Sequence, residues 1–198
     1  MSPRSPQQDR SRRTVDRILT AADRLIAAQG SAVTTTAIAA AAEVSVGALY
    51  RFFPDKHAVG QALADRYLEV ASERFGVIID RVETLDDVPV ALGAVIEAAA
   101  VLALDHPGYY RLTNERRPDE ADSVGHGVRV AMIDTFDSVL VGLGASMEPV
   151  ARRAAVTMAI ETVRHTLATA PTREPARTIV ISELGEMVVF YASRRLAR

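Results

Sequence analysis

At 198 residues the chain can bury a sizeable core, and 48% hydrophobic with 24% charged residues argue against wholesale disorder. The absence of cysteine excludes disulfides, thiolate metal sites and a cysteine nucleophile, and it suits a reducing cytoplasm. The net charge of −2 is unevenly spread: residues 1–57 carry eight basic groups against five acidic, the remainder 15 against 20. A basic end on an acidic body fits a protein that meets a polyanion with one face.

Residues 1–11 are polar and basic without apolar periodicity, which predicts a flexible arm, and no apolar stretch follows that would make a signal peptide. Val15, Ile18, Leu19, Ala22, Leu25 and Ile26 then form one helical stripe, with Gly30 as a left-handed residue just past its end. A short helix begins in Thr34–Thr36, where a hydroxyl can cap free backbone N–H groups, and a third covers about Val46–Phe53. Pro54 breaks it, and Asp55 caps a long helix over about 56–83, in which Val59, Leu63, Tyr67, Val70, Phe75, Ile78 and Val82 keep the helical rhythm. After a connector at Thr84–Val88, helices are predicted over about 89–105, 107–114, 123–144, 149–169 and 176–196. Pro107-Gly108, Arg117-Pro118-Asp119, Pro149 and Pro171–Pro175 separate them. No convincing strand alternation occurs, so the chain reads as all-α. The longest apolar run, Ala91–Leu104, contains Glu97 and falls short of the roughly 18 residues of a membrane span, so no membrane partner is expected.

The informative stretch is Thr34–Lys56, TTTAIAAAAEVSVGALYRFFPDK. Two short helices joined by a turn near Glu43–Ser45 make a helix-turn-helix. Ile38, Ala39, Ala42, Val44 and Leu49 pack inside it, with small residues at Ala39–Ala42 allowing close approach. Ser45, Val46, Gly47, Ala48, Tyr50 and Arg51 are left on the outward side of the second helix, whose first residues can face base edges in a major groove. With Val46, Gly47 and Ala48 leading, few side chains can make paired hydrogen bonds to a base. Apolar contact with thymine methyls and DNA shape therefore take a large share of specificity.

Ile18, Ala21-Ala22, Gly30, Thr34-Thr35, Ile38-Ala39, Val44-Ser45, Gly47, Leu49-Tyr50, Phe53 and Lys56 resemble the TetR family of repressors over about residues 12–60. The resemblance implies that Thr35 reaches phosphate, Thr36 phosphate or base, and that Ser45, Val46, Gly47 and Ala48 open the recognition helix. Tyr50 and Lys56 match family phosphate contacts; Arg51 can form a charge-assisted one, and Arg12 and Arg13 are candidates for contact through charge. Glu43 departs from the family, standing where the turn usually has glycine. That costs roughly 1 kcal/mol if the positive φ is kept. Phe52 replaces the Tyr or His often found there. The resemblance further implies a domain at 12–57 that binds a double-stranded DNA operator, and a larger helical bundle at 58–198 for ligand binding and dimerisation.

In that bundle His106, Tyr109, Tyr110, Met132, Phe136, Met158, Glu161 and His165 are polar-aromatic or soft residues among aliphatic ones. They are candidates to line a cavity for a small-molecule effector, though each also fits an ordinary packed or surface position. In the family the pocket lies near His106–Leu112. Val150, Ala154 and Thr157 on one helix and Leu184, Met187, Val188 and Tyr191 on the next are candidates for a four-helix homodimer interface, the alternative being intramolecular core. The four histidines lack metal-ligand spacing, and no nucleophile elbow or phosphate-binding glycine loop occurs, so neither catalysis, metal nor cofactor is expected. The rival reading is an all-α ligand-binding or scaffold protein whose helix-turn-helix no longer binds DNA specifically.

Overall fold

A computed structural model describes residues 6–114 and 124–196. Residues 1–5 of the expected arm and the break around Arg117-Pro118-Asp119 lie outside the described residues. Among the described residues all regular structure is helical: α1 (Pro6–Gln29), α2 (Thr35–Ala41), α3 (Val46–Phe52), α4 (Lys56–Ile79), α5 (Val88–Asp105), α6 (Pro107–Asn114), α7 (Val124–Gly142), α8 (Pro149–Thr169) and α9 (Ala176–Leu196). Helix α1 starts inside the segment read as an arm. Proline is tolerated at a first helical position, and Asp9 in the first turn complements the helix dipole. Helix α4 stops at Ile79, three residues before the last apolar position of the rhythm, Val82. Asp87 Oδ2 accepts bonds from the Thr84 amide at 2.9 Å, the Thr84 hydroxyl at 2.8 Å and the Glu83 amide at 3.2 Å. This local closure starts a 3-10 turn at Leu85–Asp87 that runs directly into α5.

The chain forms two compact units. The first takes the described residues up to Tyr67 together with those from His106 to Val124, so it reaches past residue 57 and includes the first half of α4 and all of α6. Its buried apolar side chains include Ile18, Ala22, Ile26, Val33, Ile38, Leu49, Phe53, Val59 and Leu63. Helix α6 packs on α1 with the backbones touching: a Cβ on Gly108 would lie 2.1 Å from the carbonyl oxygen of Asp23. Only glycine permits this approach. The buried Asp23 carboxylate fills the site further, accepting hydrogen bonds from the Tyr109 amide at 3.1 Å and from the Gly108 amide. It thereby caps α6 from a helix remote in sequence. Arg111 adds a bond from its Nη1 to the Ala27 carbonyl at 2.8 Å.

The second unit comprises Leu68–Asp105 and the chain from Gly125 onward. By length and composition Leu85–Asp105 is apolar enough to cross a bilayer, nearer to a span than the sequence reading held. Here α5 buries Val95, Ile96, Ala99, Ala100, Leu102 and Ala103 and packs mainly against α9. Buried Arg177 in the first turn of α9 donates from Nη2 to the Ala100 carbonyl of α5 at 2.8 Å. Helices α7 and α8 are tied by Arg152–Asp137 at 2.8 Å, Arg153–Asp134 at 2.7 Å and Arg129–Glu161 at 3.4 Å.

The Gly108 approach yields a direct expectation. Gly108→Ala forces α6 off α1 and costs about 1–3 kcal/mol, the usual range for overpacking. Thermal denaturation should therefore find the variant melting several degrees lower. An unchanged melting temperature would mean that the two backbones do not touch.

Candidate DNA-binding surface

The helix-turn-helix is held by local chemistry. Thr34 Oγ1 accepts from the Ala37 amide at 3.2 Å and Ser45 Oγ from the Ala48 amide at 3.1 Å, capping α2 and α3 in turn. Asp55 does the same for α4, accepting from the Ala58 amide at 2.7 Å. Between α2 and α3 the Val44 amide bonds the Ala39 carbonyl at 3.0 Å and the Glu43 amide the Ala40 carbonyl at 3.1 Å, with Glu43 at φ 52°. This is a Schellman ending with a glutamate at the left-handed position. The strained conformation anticipated for Glu43 is therefore present.

Ile38, Ala39, Ala42, Leu49 and Phe53 are buried, and Val44 is half-buried. On the opposite side of α3, Ser45, Val46, Gly47, Tyr50 and Arg51 are exposed and Ala48 is half-buried. Thr36 is exposed, and Thr35 Oγ1 meets the Tyr50 hydroxyl at 3.0 Å, tying the start of α2 to α3. The Arg51 guanidinium lies 4.9 Å over the Phe52 ring. Lys56 Nζ donates to the Ser31 carbonyl at 2.6 Å, and Arg12 and Arg13 are exposed on α1. Sequence reasoning did not single out Arg17, whose Nη2 donates to the Ala42 carbonyl at 2.5 Å and the Glu43 carbonyl at 3.0 Å. The signal available was the missing glycine at 43, which calls for a compensating partner.

Within the same unit His106, Tyr109 and Tyr110 meet Tyr67 of α4. Tyr67 stacks on Tyr109 with ring centroids 3.8 Å apart, and stands edge-on to Tyr110 at 5.6 Å and to His106 at 6.1 Å. The Tyr67 and Tyr110 hydroxyls share a buried hydrogen bond of 2.8 Å. Burial and the neighbouring tyrosines hold the Tyr67 hydroxyl far above the ordinary phenol range, so it stays protonated. In the sequence Tyr67 stands only as one apolar position of the α4 stripe.

Residues 18–63 match the family described as bacterial regulatory proteins, tetR family. A TetR-family transcriptional regulator from Streptomyces coelicolor is similar in fold, with a TM-score of 0.69 and 26% identity over 92% of this chain and 99% of that one. The chain carries the N-terminal domain of the TetR family and the fold of its regulators. Two further solved structures share the fold at 16% identity. The fatty acid degradation regulator FadR from Bacillus halodurans has a TM-score of 0.71, covering 88% of this chain and 97% of that one. A TetR-like transcriptional regulator from Rhodococcus sp. RHA1 has a TM-score of 0.68, covering 100% and 99%. A search of the curated proteins finds no match.

The remaining candidate residues lie on helices of the second unit. Met132 and Phe136 are half-buried on α7, one turn apart. On α8, Met158 and His165 are exposed, and the half-buried Glu161 pairs with Arg164 at 2.6 Å. Val150, Ala154 and Met187 are exposed, Thr157 and Tyr191 half-buried. Leu184 and Val188, expected at a dimer interface, are instead core residues of the protomer, each 4% exposed. Helix α9 carries two apolar stripes, and the sequence grouped residues from both. The outward stripe is Ile179, Met187 and Phe190.

The Asp23 cap implies a pH-dependent stability. Burial raises the carboxyl above its ordinary value, despite the bonds from Tyr109 and Gly108 and the charges of His106 and Arg66. The folded state therefore binds this proton more tightly than the unfolded chain, and this contribution to stability falls as pH rises from about 4 through the raised value. Asp23→Asn, which keeps an acceptor, should remove that slope in denaturation curves taken across pH 4–7. An unaltered pH profile would show that Asp23 does not titrate as a buried group.

Proposed function

We propose that this TetR-family regulator is a cytoplasmic repressor that binds a near-palindromic operator as a homodimer and is released by a small-molecule effector. The observation that carries the reading is the face of α3. Ser45, Val46, Gly47, Tyr50 and Arg51 are open to solvent, while Leu49 and Phe53 anchor the other side in the core. A helix presented in this way enters a major groove by its first turn. Ser45, Val46, Gly47 and Ala48 meet base edges, and Thr35, Thr36, Tyr50, Arg51 and Lys56 meet phosphate, with Arg12 and Arg13 adding charge. The linked hydroxyls of Thr35 and Tyr50 support a shared role at the backbone.

Two copies associate through α8 and α9. Val150, Met158, Ile179, Met187 and Phe190 are all more than half exposed there, with Ala154 and Thr157 beside them. So much apolar surface on two adjacent helices is costly unless covered. Two-fold pairing sets recognition helices one DNA turn apart, roughly 34–36 Å. The effector is held by helices of the second unit, where Met132 and Phe136 offer soft apolar contact, and it acts by population shift. Both α4 and α6 contribute to the unit that carries α3, so a changed placement of either alters operator affinity.

A mobility shift with the duplex upstream of the regulator's own gene tests this. Specific binding is expected, and Arg12→Ala with Arg13→Ala should weaken it on all sequences while lowering the salt slope by about 0.9 per lost phosphate contact. Specific binding to no duplex would favour the ligand-binding or scaffold reading. A thermal-shift screen of metabolites then identifies the effector, which must also lower operator affinity.

A further inference from the structure

We infer that Arg17 is a positioning residue for DNA binding, holding the turn between α2 and α3 in a conformation that Glu43 alone disfavours. Among the described residues three have positive φ: Gly30 at 66°, Gly144 at 78° and Glu43 at 52°. The last two occupy the same motif. At the end of α7 the Ala145 amide bonds the Leu140 carbonyl at 3.0 Å and the Gly144 amide the Val141 carbonyl at 3.0 Å. At the end of α2 the same pair of bonds closes on Glu43. There glycine needs no support, since it adopts this conformation freely; a residue with a Cβ does need it.

The support comes from α1. A single guanidinium nitrogen of Arg17 reaches the carbonyls of Ala42 and Glu43, at 2.5 and 3.0 Å, and the Glu43 carboxylate at 3.3 Å. Those carbonyls lie past the end of α2, where a cation is the favoured partner. The ion pair itself is exposed, with side chains 50% and 88% accessible, and is weak in water. The bonds to the backbone carry the effect. Since α3 opens three residues after Glu43, with Ser45 as its cap, the setting of this turn decides where Ser45–Ala48 are presented. The inference rests on the reading that this face of α3 meets DNA.

The experiment enriches an operator from a random duplex pool with the wild-type protein, then measures affinity over a range of salt. Arg17→Met should weaken binding about tenfold, as expected for lost hydrogen bonds to a charged group, with the salt slope unchanged. Arg17→Met combined with Glu43→Gly should return close to wild type, and Glu43→Gly alone should bind as wild type does. Should Arg17→Met fold poorly, the double variant still decides: folded and binding supports the inference, folded and not binding overturns it. Unchanged affinity of Arg17→Met also overturns it. So does a salt slope lowered by about one without rescue, since Arg17 would then be a phosphate contact. Failure of the wild type to enrich any duplex would instead remove the DNA-facing reading itself.

Discussion

A buried carboxylate on α1 decides where α6 begins. Asp23 is 8% exposed, and its oxygens accept from the first free amides of α6 at Gly108 and Tyr109. Burying a charge is costly unless it is hydrogen-bonded, and a helix start supplies fitting donors. The arrangement requires backbone contact, which is why position 108 is glycine. Once α6 is seated, Tyr109 lies flat on Tyr67 and Tyr110 meets its hydroxyl. One carboxylate thus fixes α6 on α1 and, through the tyrosines, on α4. α1, α6 and the first half of α4 belong to the same compact unit as the helix-turn-helix.

Tyr67 is the last residue of the unit on α4, and His106 is the residue where the chain returns to it before α6. Both belong to the aromatic cluster. The chain therefore leaves this unit and re-enters it beside a set of rings packed edge and face. In the same unit α3 opens with Val46, Gly47 and Ala48, small or apolar side chains that offer no paired hydrogen bonds.

Much of this was legible in the sequence where a local rule acts alone. The bounds of α6, α8 and α9 agree with the spacing because proline punctuation defines them: Pro107 and Pro149 open α6 and α8, and Pro171–Pro175 precede α9. The caps at Thr34, Ser45 and Asp55 were equally readable, being decided within four residues. What escaped depends on partners far along the chain. Arg17 finds Glu43 across 26 positions and Asp23 finds Tyr109 across 86. Periodicity also failed where it was ambiguous. In α9, Leu184 and Val188 point inward and Met187 and Phe190 outward, yet all four are apolar. In α4, apolar residues continue through Val82, but the Thr84–Asp87 closure ends the helix first.

The central claim is that α6 and the helix-turn-helix move as one body, because Asp23 ties α6 to α1, on which α2 packs. Native-state hydrogen exchange tests it most directly, comparing the Tyr109 and Tyr110 amides with those of Leu49 and Phe53. The account predicts that both pairs exchange through one shared opening, and that Asp23→Ala speeds both to the same extent. Fast exchange confined to α6 in that variant, with Leu49 and Phe53 still protected as in the wild type, would contradict it.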